Sequence, residues 1–163
     1  MSTRSSFVQI RVTPAEKATL KRLARTSGRD LSSYILSMAL PGTQLRFQEI
    51  LGILLDEENH RFALAELNDL LSGLAPMEFH GTVGTADLSG LSQFLQCYVA
   101  AMVEHAAQMK DVPAPSWTRS VGPLPHPWFA TPLRSLRLHL LKASPVPFKK
   151  RNLFVDAAVG DRV

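Results

Sequence analysis

A chain of 163 residues with 45% apolar side chains has room for one ordinary domain, or a small module and a second one, and excludes wholesale disorder. The single Cys97 excludes an internal disulfide framework. No uncharged apolar run reaches the roughly 18 residues of a membrane span and the N-terminus lacks a signal-peptide core, so a soluble cytoplasmic protein is expected. The net charge of +4 hides three blocks: residues 1–42 hold seven Lys/Arg against two Asp/Glu, residues 43–113 three against ten, and residues 114–163 eight against two. A basic head suits a polyanion, whereas the acidic middle is repelled by one.

In chain order, residues 7–13 alternate, with Val8, Ile10 and Val12 on one side and Phe7, Gln9 and Arg11 on the other. This predicts a strand with one apolar face. Thr13-Pro14-Ala15-Glu16 follows as a helix start, with a capping Thr, Pro at the first helical position and Glu16 completing a capping box. The first helix is expected from Pro14 to about Thr26, closed by Gly28, and Asp30 is expected to cap a second through Leu31, Tyr34, Ile35, Met38 and Ala39. Helical spacing predicts a third helix through Phe47, Ile50, Leu51 and Leu54, ending near Asp56-Glu57-Glu58. A fourth runs through Ala63, Leu67, Leu70, Leu71 and Leu74, stopped by Pro76. Gly81 to Gly84 reads as a loop, and residues from about Ala86 to Met109 as a long fifth helix. Residues 112–132 carry Pro113, Pro115, Pro123, Pro125, Pro127 and Pro132 with Trp117, Trp128 and Phe129, which predicts an extended segment bearing large apolar anchors. A short helix through Leu133, Leu136 and Leu140 and a short strand at 153–155 are expected beyond it.

One strand and two short helices cannot stand alone, because about forty residues bury too little surface and a lone strand has two unpaired edges. Two copies remove both difficulties: the strands pair antiparallel, their apolar faces cover the helices, and their polar faces form a ribbon that fits a DNA major groove. On that face Arg11 can fork onto guanine and Gln9 onto adenine, while Phe7 is placed to meet a thymine methyl or fold onto the backbone. A fragment of some larger β-α-α fold is the competing reading of the same residues.

The run Arg-Val-Thr-Pro-x-Glu-Lys from Arg11 and the run Gly-Arg-x-Leu-Ser-x-Tyr-Ile from Gly28 resemble the ribbon-helix-helix superfamily, especially its antitoxin and plasmid-mobilisation accessory branches. The resemblance covers about the first quarter of the chain. It implies a homodimer joined through the N-terminal strand and a phosphate anchored at the second helix by the amides of Leu31 and Ser32, with Ser33 nearby. Asp30 departs from the Ser, Thr or Asn commoner at that cap.

No catalytic constellation emerges, so an enzyme is not expected. Cys97 sits in an apolar stretch as a small core residue, His60, His80, His105, His126 and His139 lack a zinc-ligand spacing, and Gly81-Thr-Val-Gly84 is too short for a phosphate loop; no metal or cofactor is expected. The run Lys149-Lys150-Arg151 can be a clamp on a partner, a second nucleic-acid contact or part of a folded-back strand, with Phe148 and Phe154 available to stack on bases. Trp117, Trp128 and Phe129 face a similar choice between core staples and anchors on a partner.

The expected architecture is mostly α. A ribbon-helix-helix DNA-binding domain occupies 1–42, an acidic helical domain 43–111, and a Pro/Trp-rich extended tail with a short helix and basic end 112–163. The expected function is that of an antitoxin-like repressor: the head binds its own promoter, and a toxin is bound through Trp117, Trp128, Phe129, Lys149, Lys150 and Arg151. The alternative is a relaxosome accessory protein acting on DNA at a transfer origin.

Overall fold

The computed structural model describes residues 9–28, 30–39 and 42–156. Phe7 and Val8 of the expected strand lie outside them. Residues 9–13 have no regular secondary structure and their side chains are exposed. Helix α1 spans Pro14–Thr26 and carries the expected capping box: the Glu16 amide donates to Thr13 Oγ1 (3.3 Å) and the Thr13 amide to Glu16 Oε2 (2.7 Å). The Thr13 backbone amide first, and then the Thr13 hydroxyl, which also donates to Glu16 Oε2 (2.9 Å), hold the Glu16 carboxyl below the usual range. Gly28 leaves the helix at φ 66°, a left-handed conformation that glycine adopts without penalty. Helix α2 spans Leu31–Ala39 and packs against α1.

Beyond the head lies a helical body: α3 (Gly42–Ile53), a 3-10 turn (Glu57–Asn59), α4 (His60–Gly73), α5 (Pro76–Val83) and α6 (Gln93–Met109). Two expectations change here. Residues 81–83 are the last turn of α5, not a loop: Pro76 opens this helix as well as following α4, and Glu78 reaches back to accept from the Ala75 amide at 3.2 Å. The acidic run 56–58 starts a helical segment rather than ending one. Asp56 accepts from the Glu58 amide (3.2 Å) and the Asn59 side chain (2.7 Å), so the negative charge stands at the favourable end of the peptide dipoles. Helix α6 begins at Gln93 rather than near Ala86 because Ser92 caps it.

Phe47, Ile50, Leu67, Phe79, Val83, Val99 and Val103 are fully buried and join α3 to α6 in one core. Each such side chain contributes about 1.5–3 kcal/mol through removal from water. Helix α6 is the shared member, packed against α4 and against the C-terminal elements.

The Pro-rich segment is not an extended tail. It runs through a 3-10 turn (Ser116–Ser120), β1 (Trp128–Phe129), α7 (Arg134–Ala143), α8 (Val146–Lys149) and β2 (Leu153–Phe154), and folds onto the body. The two strands pair in parallel, Trp128 opposite Leu153 and Phe129 opposite Phe154, with α7 and α8 forming the crossover that parallel pairing requires. The Trp128 amide donates to the Asn152 carbonyl (2.8 Å) and the Ala130 amide to that of Phe154 (2.9 Å). Phe148 and Val155 fill the same core as α6.

Candidate nucleic-acid interface

The head positions its polar side chains by leaving its apolar ones uncovered. Among the described residues of 9–39, Ala24 alone is buried; Ile10 is 54% exposed, Val12 41%, Leu23 40% and Met38 70%. Val12, Ala15, Thr19 and Leu20 line a shallow, mainly apolar recess with Glu16 at its edge. Gln9 and Arg11 are exposed on the segment that leads into α1. Lys17, Lys21, Arg22 and Arg25 are exposed along α1 itself.

At the start of α2, Asp30 takes the donors of Ser33: the amide at 3.0 Å and the hydroxyl at 2.5 Å. Leu31 and Ser32 occupy the first helical turn, half-buried and exposed respectively. The turn therefore presents two amides beside a carboxylate, a weaker seat for a phosphate than a Ser or Thr cap would give.

The residues expected to grip a protein partner are mostly seated inside the body. Trp117 is half-buried and its indole nitrogen donates to the Val83 carbonyl at 2.8 Å. Trp128, 36% exposed, meets Phe94 edge-on (centroids 4.9 Å) and Tyr98 (6.3 Å). Phe129 stacks on Phe154 at 4.9 Å and carries the Arg137 guanidinium at 5.0 Å on its ring. Phe148 is fully buried and Phe154 is 9% exposed, so neither is open to a base.

Arg151 separates from its neighbours. It is 4% exposed and forms a two-pronged pair with Glu104 on α6, at 3.0 and 2.8 Å, with further bonds to the carbonyls of Pro147 (3.0 Å) and Thr118 (2.7 Å). Burial pushes the Glu104 carboxyl up, but the Arg151 hydrogen bonds, aided by Thr118 and by the charges of Arg151 and Lys150, outweigh it and hold the group below the usual range. Lys149 is half-buried, and Lys150 is exposed. Arg151 thus fastens the C-terminal segment to α6 and is withdrawn from any partner. Sequence reasoning misses this ion pair, because a basic run read locally carries no sign of it.

Cys97 is buried, its thiol donating to the Gly122 carbonyl at 3.1 Å; burial raises its pKa, which keeps it a thiol. Among the described residues no group of three or more His, Cys, Asp or Glu is arranged to hold a metal ion, and no helix is long and apolar enough to cross a membrane.

Residues 2–75 match the model of the NikA-like family, described as mobilization protein NikA. The match takes in α1 to α4, so it continues past the head into the body, and it spans less than half of the 163 residues. No curated protein and no solved structure matches the chain.

Proposed function

We propose that the chain is a DNA-binding accessory protein of plasmid mobilisation, a relaxosome component that bends or opens DNA at a transfer origin. The likeness of residues 2–75 to a mobilisation family carries this reading. It favours mobilisation over the antitoxin-like repressor, whose protein-binding anchors, Trp117, Trp128, Phe129 and Arg151, are instead engaged with the body.

The working unit is a homodimer. Ile10, Val12 and Leu23 are left uncovered on a head too small to be stable alone, and a second copy supplies both the missing cover and a partner strand. Pairing through residues 7–13 turns Gln9 and Arg11 outward into the major groove, where Arg11 reads guanine and Gln9 adenine, with Phe7 alongside. The amides of Leu31 and Ser32 then face the backbone, and the exposed cations of α1 add a sequence-independent attraction.

The test is a titration of the full-length protein on its transfer-origin duplex and on the promoter duplex of its own operon. Arg11→Ala is expected to cost about 1–3 kcal/mol on the transfer-origin site and to relax base preference; Lys21→Ala is expected to weaken all duplexes alike and only slightly. Tighter binding to the promoter, or equal effects of the two substitutions, overturns the reading.

A further inference from the structure

We infer that the C-terminal end of the body is a second DNA-binding surface, one that holds the phosphate backbone of duplex flanking the site read by the head. Residues 114–156 contain seven Lys/Arg and a single acid, Asp156. Arg151 is neutralised by Glu104, and Asp156 lies 3.9 Å from His139. Six cations remain: Arg119, Arg134, Arg137, Lys142 and Lys150 are exposed and Lys149 is half-buried. The fold gathers those of α7 and α8. Helices α7 and α8 both pack on β2, the Lys149 ammonium donates to the Lys142 carbonyl at 2.8 Å, and Arg137 is propped on the Phe129 ring. Of the six only Lys150 adds its charge to a half-buried acid, Glu104, which is already paired with Arg151.

The surface suits phosphates rather than bases. Most of its aromatic rings are engaged with the body, Phe148 and Phe154 in the core, Phe129 between Phe154 and Arg137, and Trp128, though 36% exposed, against Phe94 and Tyr98, so the charge is accompanied by no ring that stands free of the body. It suits duplex better than a lipid surface. On α7 the exposed Leu138 stands four residues from both Arg134 and Lys142, and the exposed Leu141 four residues from Arg137, on the same face, whereas an interfacial helix segregates the two classes. The acidic α3–α5 region keeps the rest of the body off a polyanion, so DNA would approach at this end and at the head. The proposal rests on the DNA-binding reading of the head for the location of the duplex, and its test separates the two.

The experiment measures affinity of the full chain against salt, on a duplex trimmed to the head's site and on one extended by about two helical turns. The variant is Arg134→Gln/Arg137→Gln/Lys142→Gln, with the corresponding Glu triple as a second variant and circular dichroism to verify the fold. On the extended duplex the neutral triple is expected to bind about tenfold or more weakly, with the log–log salt slope shallower by about 0.9 for each phosphate no longer neutralised. Binding to the trimmed duplex and base preference are expected to stay unchanged. Equal slopes for variant and parent overturn the inference, as does equal weakening on both duplexes. Altered sedimentation or altered binding to anionic vesicles with DNA binding unchanged also overturns it, pointing to a second copy or to a membrane. If Arg11→Ala has no effect while the triple does, the head reading fails and the C-terminal surface stands.

Discussion

The head and the body are built from similar helices and reach opposite states. In the body, α3 to α6 bury Phe47, Ile50, Leu67, Phe79 and Val103 completely, and even a Pro-rich segment folds down to cover α6. In the head, α1 and α2 bury only Ala24 among the described residues and leave Ile10 and Val12 open. Both have well-formed helix starts, so the difference does not lie in local signals. It lies in what a single chain encloses: the body closes its core on itself, and the described part of the head does not.

The sharpest way to break this comparison is to damage the body's own closure. Arg151→Ala leaves the half-buried Glu104 carboxylate without its partner and is expected to cost about 3 kcal/mol, the low end for breaking a buried pair, read as a lower melting temperature and a change in Trp117 and Trp128 fluorescence. The double change Glu104→Leu with Arg151→Met is expected to recover most of that loss. Acid acts on the same pair. Because the folded Glu104 carboxyl titrates below its ordinary value of 4.5, its contribution is complete above that pH and is lost as pH falls through the lower folded value. Fluorescence of the two tryptophans should therefore report an undocking step below about pH 4.5, absent in Glu104→Gln. An unchanged melt for Arg151→Ala would mean that the C-terminal segment is held by apolar packing alone.

The head should respond through association instead. Ile10→Lys is expected to weaken the dimer by about 1.5–3 kcal/mol per copy from lost apolar burial alone, while the body's melting transition stays in place. A sedimentation profile unaffected by the change would remove the idea that a second copy completes the head. The smallest effect is local. Thr13→Ala deletes the hydroxyl that accepts from Glu16 and is expected to destabilise α1 by about 1 kcal/mol, seen as faster amide exchange in its first turn.

How much is legible in the sequence follows from where the information sits. The starts of α1 and α2 are written within four residues, in Thr13-Pro14-x-Glu16 and in Asp30 after Gly28, and the structure has both where the sequence puts them. Helix α5 escapes a local reading because a proline after a helix reads as a stop. What makes Pro76 a start is Glu78 two residues on and the packing of Phe79 and Val83 into the core. The parallel pairing of β1 with β2 has no local signature: two-residue strands joined by a helical crossover show no alternation to detect. Arg151 is indistinguishable from Lys149 and Lys150 for the same reason, since Glu104 lies 47 residues away. In the candidate interface, alternation places Gln9 and Arg11 on one side of a strand. Residues 9–13 have no regular structure in the fold of the single chain, so that alternation has no counterpart there.

The parallel pairing also sets an order of events during synthesis. Leu124 donates its amide to the Arg151 carbonyl and Trp128 its amide to that of Asn152, so the earlier member of each bond waits for the later one to be made. At about 5–20 residues per second the wait from Leu124 to Arg151 is roughly 1–5 s. Through that interval the faces of Phe94 and Tyr98 that later receive Trp128 and Phe148 stand uncovered on a growing chain, whereas α1 and α2 have already emerged. The nascent protein thus gains its N-terminal head seconds before its body is sealed, and the window in which a chaperone can hold it closes only when β2 slides in beside β1.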